Sequence, residues 1–258
     1  HNPAFRDDPS VNNLLSMTDA ELSAAFAQAG IDRFATRVRV PAVISSERES
    51  RGVTLLGVDP LEELSLEAVG SLIADGRGLA AIDDNGVVIG RKLADKLDTE
   101  IGKRIVLMSQ DPDNEVADRG FRVVGLFEAN LAAQEEAYAF VGRATLQKML
   151  GIDNRVSEVA VIGDDYRDVA AIFAATRRVI DERDLVQPWY ELDTYLGTML
   201  GVMDGFVLIW VIVIFLALSF GLVNTLVMAV FERVREIGLM LALGMRPSSI
   251  LMQIVFES

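Results

Sequence analysis

Pairs of neighbouring acids such as Glu62 with Glu63, Asp83 with Asp84, Glu135 with Glu136, and Asp164 with Asp165 could in principle move protons or hold calcium. The only histidine is His1 and there is no cysteine, so no imidazole or thiolate converges on any pair. Solvated turns and helix caps account for these acids better. "EIGKR" supplies Gly102 and Lys103, but Leu97 stands where a phosphate loop needs glycine and Arg104 where it needs Ser or Thr. Gly86 and Gly90 lack the spacing of a dinucleotide fingerprint. The expectation is a chain with no catalytic residue, no cofactor and no metal site.

A different cluster of charge stands out: Glu232, Arg233, Arg235 and Glu236 directly follow a stretch, Gly205 to Phe231, without one ionisable side chain. Crossing the hydrocarbon core takes about 20 residues of helix, which this stretch exceeds. Ser219, Asn224 and Thr225 are its polar residues, tolerable where they bond backbone or a neighbouring helix. The rest of the chain is of another kind. Of the 38 acids and 24 Lys and Arg, 34 and 21 lie in residues 1–200, giving an acidic surface without the basic stripe that nucleic acid requires. Arg233, Arg235 and Arg246 after the span place its C-terminal end in the cytoplasm and residues 1–195 outside. A chain that opens on His1 reads as a fragment.

Around the span, the spacing predicts a stalk and transmembrane helix over 196–231. Gly197, Gly201 and Gly205 recur at i+4, and Ala217, Gly221 and Thr225 extend the stripe, a face on which another helix can pack. A short amphipathic helix follows, ended by Gly244, within a cytoplasmic elbow at 232–246. Pro247 then suits the first turn of a further membrane helix over 247–258. In the outer part, "GVTLLGV" and "FRVVGLF" read as strands, whereas "DAELSAAFAQAG" and "YRDVAAIFAATRRVIDERD" have helical spacing with Asp19 and Asp165 as caps. The domain is therefore mixed α+β.

The string from Phe220 to Ser258 resembles the FtsX-like, MacB-type permeases of ABC transporters. The shared features are Asn224 in the span, then Glu232-Arg233, Glu236-Ile237-Gly238, and Ala242 with Gly244. "GVTLLGVDPLEEL", "GVVIGRKLADKLDTEIGKRIVL" and "FRVVGLFEA" are similar to the periplasmic core domain of the same family, with "GVDPLEEL" closest to its lipoprotein-releasing LolC/LolE members. The resemblance implies a split porter-like α/β subdomain interrupted by a β-rich one, about 85–150, followed by the transmembrane helix. It also implies a bacterial inner-membrane permease without its own ATPase. Its partners would be an ABC ATPase subunit seated on Glu232 to Gly244, a second permease subunit in a homo- or heterodimer, the bilayer, and a lipoprotein substrate with its periplasmic carrier. Export of peptides or small molecules, or transmembrane regulation of a cell-wall hydrolase, are the alternatives within the family. "MSQDPDNEVADRG" departs from the proline-containing pattern expected of a carrier-binding hook.

Overall fold

The computed structural model describes residues 1–66, 73–163, 169–249 and 252. The chain forms two compact units, residues 1–188 and 189–258. In the first, short 3-10 turns at Pro3–Arg6 and Val11–Asn13 lead into α1 (Asp19–Ala29), β1 (Phe34–Ser45), β2 (Ser50–Val58), α2 (Pro60–Ser65), β3 (Ile73–Gly76), β4 (Gly86–Gly90) and α3 (Arg91–Lys96). There follow β5 (Arg104–Gln110), β6 (Val116–Phe127), α4 (Ala132–Ala137), β7 (Tyr138–Gly142), α5 (Arg143–Leu150), β8 (Glu158–Val161) and α6 (Val169–Val179). Asp164 and Asp165 lie outside the described residues.

Six strands close into a ring, β1-β2-β7-β4-β6-β5 and back to β1. The length and alternation of β1 explain how one strand serves two structures. Its first residues, 34–37, pair with β8, and residues 38–45 pair with β2. Val38, Val40, Ala42 and Ile44 are buried inside, while the odd positions face out. Leu55, Val87, Ile89, Ile105, Leu107, Phe121 and Val123 fill the interior with them. A smaller apolar cluster on the other face of β2, β4, β6 and β7 contains Phe127 and Phe140, edge to face at 5.3 Å. The β-rich part thus includes β1 and β2 and starts well before residue 85, because both hairpin strands are needed to close the ring.

The ring is internally duplicated. A hairpin, a helix, a strand and a helix occur in order as β1-β2-α2-β4-α3, with the short β3 inserted before β4, and again as β5-β6-α4-β7-α5. Each copy's last strand pairs in parallel with the other copy's hairpin: β4 on β6 and β7 on β2. Across the pseudo-twofold axis, β4 meets β7 and β1 meets β5, both antiparallel. The sequence trace is "VVIGRKLADKL" against "AFVGRATLQKML". In both, the glycine is the N-cap and the arginine the first helical residue. A Cβ at Gly90 would lie 2.0 Å from the Glu135 carbonyl oxygen, and one at Gly142 2.5 Å from that of Ile82. Neither strand-to-helix turn has room for a side chain.

Each arginine reaches an acid that follows the opposite copy's hairpin, Arg91 reaching Glu128 and Arg143 reaching Glu62, but in unlike surroundings. Arg91 pairs with Glu128 and Asp75 on the surface. Arg143 is 2% exposed, and its Nη1 donates to the Thr36 carbonyl at 2.9 Å and to Glu62 at 3.0 Å, while Nη2 donates to Asp19 at 2.9 Å. Burial pushes the Glu62 carboxyl up, against the hydrogen bonds from Thr36 and the Arg143 charge. Asp19 therefore does not cap α1. Thr18 does, in a capping box with Glu21, which frees the Asp19 carboxylate to join α1 to the ring.

The other acid pairs among the described residues are structural too, and two of their members are less solvated than the sequence suggests. Glu63 is buried and forks onto Arg37, and buried Glu135 accepts from the Lys92 amide at the start of α3. Asp84 accepts from Arg77 and from the amides of Ala80 and Gly86, which hold its carboxyl at about 2. Among the described residues no three His, Cys, Asp or Glu side chains are placed to hold a metal ion.

Candidate functional site

The second unit begins with α7 (Trp189–Leu192) and continues as α8 (Thr194–Glu232) and α9 (Val234–Ala242). α8 is apolar all round. Its most apolar 18-residue stretch within Thr194–Ala229 has mean hydropathy 3.0 and none of that stretch is buried by the rest of the chain, so its length and composition suit a membrane span. Its hydroxyls are satisfied within the helix, Ser219 Oγ donating to the Phe215 carbonyl at 2.8 Å and Thr225 Oγ1 to that of Gly221 at 3.0 Å. Asn224 makes no such bond among the described residues.

The helix breaks at Arg233, whose φ of −101° and ψ of 7° interrupt the α geometry between Glu232 and Val234. α9 then ends in a Schellman motif: the Gly244 amide donates to the Leu241 carbonyl and the Met245 amide to that of Met240, with Gly244 at φ +87°. That backbone conformation strains any residue with a Cβ, which explains the glycine after Ala242. Ile237 and Met240 are the half-buried residues of α9; Leu239, Leu241 and Leu243 are exposed. Glu232, Arg233, Arg235 and Glu236 are all exposed around the break, and among the described residues Arg235 and Glu236 form no ion pair. Gly238 has open space where a Cβ would stand. Of the further helix at 247–258, residues 250, 251 and 253–258 lie outside the described residues.

The structure separates the glycines of α8. A Cβ on Gly197 would come within 2.9 Å of the Tyr190 carbonyl oxygen and 3.0 Å of its Cβ, so this glycine is required where α7 folds onto α8. Nothing lies within 4 Å of that position at Gly201, Gly205 or Gly221. Sequence reasoning missed the α7 contact, whose trace is the Trp189-Tyr190 pair eight and seven residues upstream, with rings edge to face at 5.8 Å. It also missed Arg143, whose trace is the duplicated glycine-arginine turn.

The family model of the MacB-like periplasmic core domain matches residues 3–179, and that of the FtsX-like permease C-terminal region matches 207–258. The lipoprotein-releasing system transmembrane protein LolC of Neisseria meningitidis is 25% identical over 255 residues, covering 95% of this chain and 59% of LolC. An uncharacterized ABC transporter permease of Methanocaldococcus jannaschii is 27% identical over 192 residues, covering 72% of this chain and 46% of the relative. The chain therefore spans only about half the length of these relatives. Among solved structures, the extracellular domain of the transporter YknZ from Gram-positive bacteria aligns with a TM-score of 0.49 at 17% identity, covering 67% of this chain and 86% of that one. The periplasmic region of MacB from Actinobacillus actinomycetemcomitans aligns at 0.47 and 15%, covering 69% and 78%.

Proposed function

The chain belongs to the MacB-like periplasmic core domain family, with an FtsX-like permease C-terminal region, and from that membership we propose that it is the part of an ABC transporter permease that couples cytoplasmic ATP hydrolysis to work outside the membrane. In this proposal residues 1–195 stand outside the inner membrane, α8 crosses it, and 232–246 seat on a separate ATPase subunit. The observation that carries it is α9: a short, firmly capped helix with exposed charge and apolar side chains, directly after a span. Such a helix offers a partner a defined ridge, with Arg235 and Glu236 in no ion pair among the described residues and so ready for opposite charges. Asn224, an amide on an apolar helix, and the open positions at Gly201, Gly205 and Gly221 support close packing of further helices, including those of a second permease subunit, as homo- or heterodimer. Similarity to LolC, a lipoprotein-releasing system transmembrane protein, over 95% of the chain supports lipoprotein as the substrate.

The test is copurification of the ATPase, with ATP hydrolysis, in the full-length reconstituted complex. Glu236→Arg should weaken the association by leaving a desolvated charge against a like one, a cost of several kcal/mol. Gly238→Trp should act by bulk alone, since its own chain leaves that space open. Undiminished association and substrate-stimulated hydrolysis in both variants would show α9 to be only a membrane-surface anchor.

A further inference from the structure

We propose that a groove on the outside of the strand ring binds a small ligand with an apolar body and a cationic end. This goes beyond the transport reading and does not rest on it. Outward positions of a half-buried strand are ordinarily polar, and β1 begins that way with Arg37 and Arg39. It then turns apolar on the outer face, at Pro41 and Val43, and β5 does the same at Val106 and Met108. Val43 is 41% exposed and Val116, at the start of β6, 70% exposed. The N-terminal turn at Val11 lines one side of this face, leaving an open groove of about 450 Å³. That volume falls within the range of small-molecule sites, roughly 300–1,000 Å³.

The groove exists because β1 pairs with β5 only over residues 43–45 before diverging to meet β8. A strand edge opened in this way would ordinarily recruit another strand. Here it is blocked. Pro41 has no N–H, its carbonyl accepts from Ser109 Oγ at 2.7 Å, and the Ser157 hydroxyl takes both the N–H and the carbonyl of Arg39. With the backbone satisfied, what remains is apolar wall and a polar rim, which suits a compact ligand rather than an extended chain. The rim fixes the sign of its charge. Among the described residues, no cation lines the groove and the one ionisable residue lining it is Asp111. Its Oδ1 is used by the amides of Asp113 and Glu115, whereas Oδ2 accepts nothing among the described residues.

The experiment uses the full-length protein in nanodiscs of zwitterionic lipid, without nucleotide. Fluorescence anisotropy follows the lipophilic cation rhodamine 6G and, for contrast, the anion 1-anilinonaphthalene-8-sulfonate, each against empty discs. Saturable binding of the cation above the empty-disc level is expected, without saturable binding of the anion. Asp111→Asn should weaken the cation about threefold, the worth of one exposed charge pair, and Val43→Lys at least about tenfold. Val116→Asp, at a position too exposed to matter for folding, should tighten it about twofold. Absence of saturable cation binding, equal saturable binding of both dyes, or indifference to all three substitutions would overturn the proposal. So would concentration-dependent self-association lost in Val43→Lys, which would assign the face to a second copy of this chain.

Discussion

Arg143 and Arg91 occupy equivalent places in the two copies of the ring motif, so substituting both tests whether burial or position sets an arginine's worth. Arg143→Met removes the cation facing Asp19 and Glu62, whose side chains are only 28% and 22% exposed, and leaves the Thr36 carbonyl without its donor. Breaking a buried pair from one side typically costs 3–5 kcal/mol; the partial water access of the two acids brings the expectation to about 3 kcal/mol. At 1.4 kcal/mol per decade this is roughly a hundredfold increase in opening of the region. Arg91 is 37% exposed and its partners 55% each, so Arg91→Met should cost less than about 1 kcal/mol. The assay must report on the first unit, and both tryptophans, Trp189 and Trp210, lie in the second. Hydrogen exchange of the full-length protein in nanodiscs, followed in peptides from α1 and the first half of β1, meets that need. Adding Asp19→Asn and Glu62→Gln to Arg143→Met should restore most of the protection, because no charge is then left unpaired. Equal exchange in the two single variants, or no recovery in the triple, would refute the account of Arg143 as a buried ionic junction.

Two further perturbations address other parts of the structure. Because the Asp84 carboxyl is held at about 2 against an ordinary 3.8, its contribution to stability is present above about pH 3.8 and is lost as pH falls towards 2; pulse proteolysis with pepsin across that window should show a shallower acid dependence for Asp84→Asn than for the parent protein. In a Trp210→Phe background, Gly197→Ala should shift Trp189 emission by pushing α7 off α8, whereas Gly201→Ala should leave it unchanged; equal spectra would remove the case for a required close approach at Gly197.

The second unit was legible in the sequence because its determinants are local. An apolar run without charge can only be a long buried or membrane helix, and a left-handed glycine after an amphipathic segment can end it, so α8 and the Gly244 terminus of α9 could be placed by counting. The mixed composition of the first unit and its likeness to the MacB-like domain were likewise carried by short strings. What tertiary structure decided were the pairings between residues far apart in sequence. Strand alternation says that Val38 and Val40 share a face, but not that β1 serves both β8 and the ring, nor that β4 and β7 each cross to the other copy's hairpin. An acid at the start of a helix reads as a cap by default, and Asp19 became a ligand for Arg143 only because the fold brings a buried guanidinium from 124 residues away. The groove has the same origin: Pro41 and Met108 are unremarkable until two strands part between them and leave their apolar outer faces uncovered.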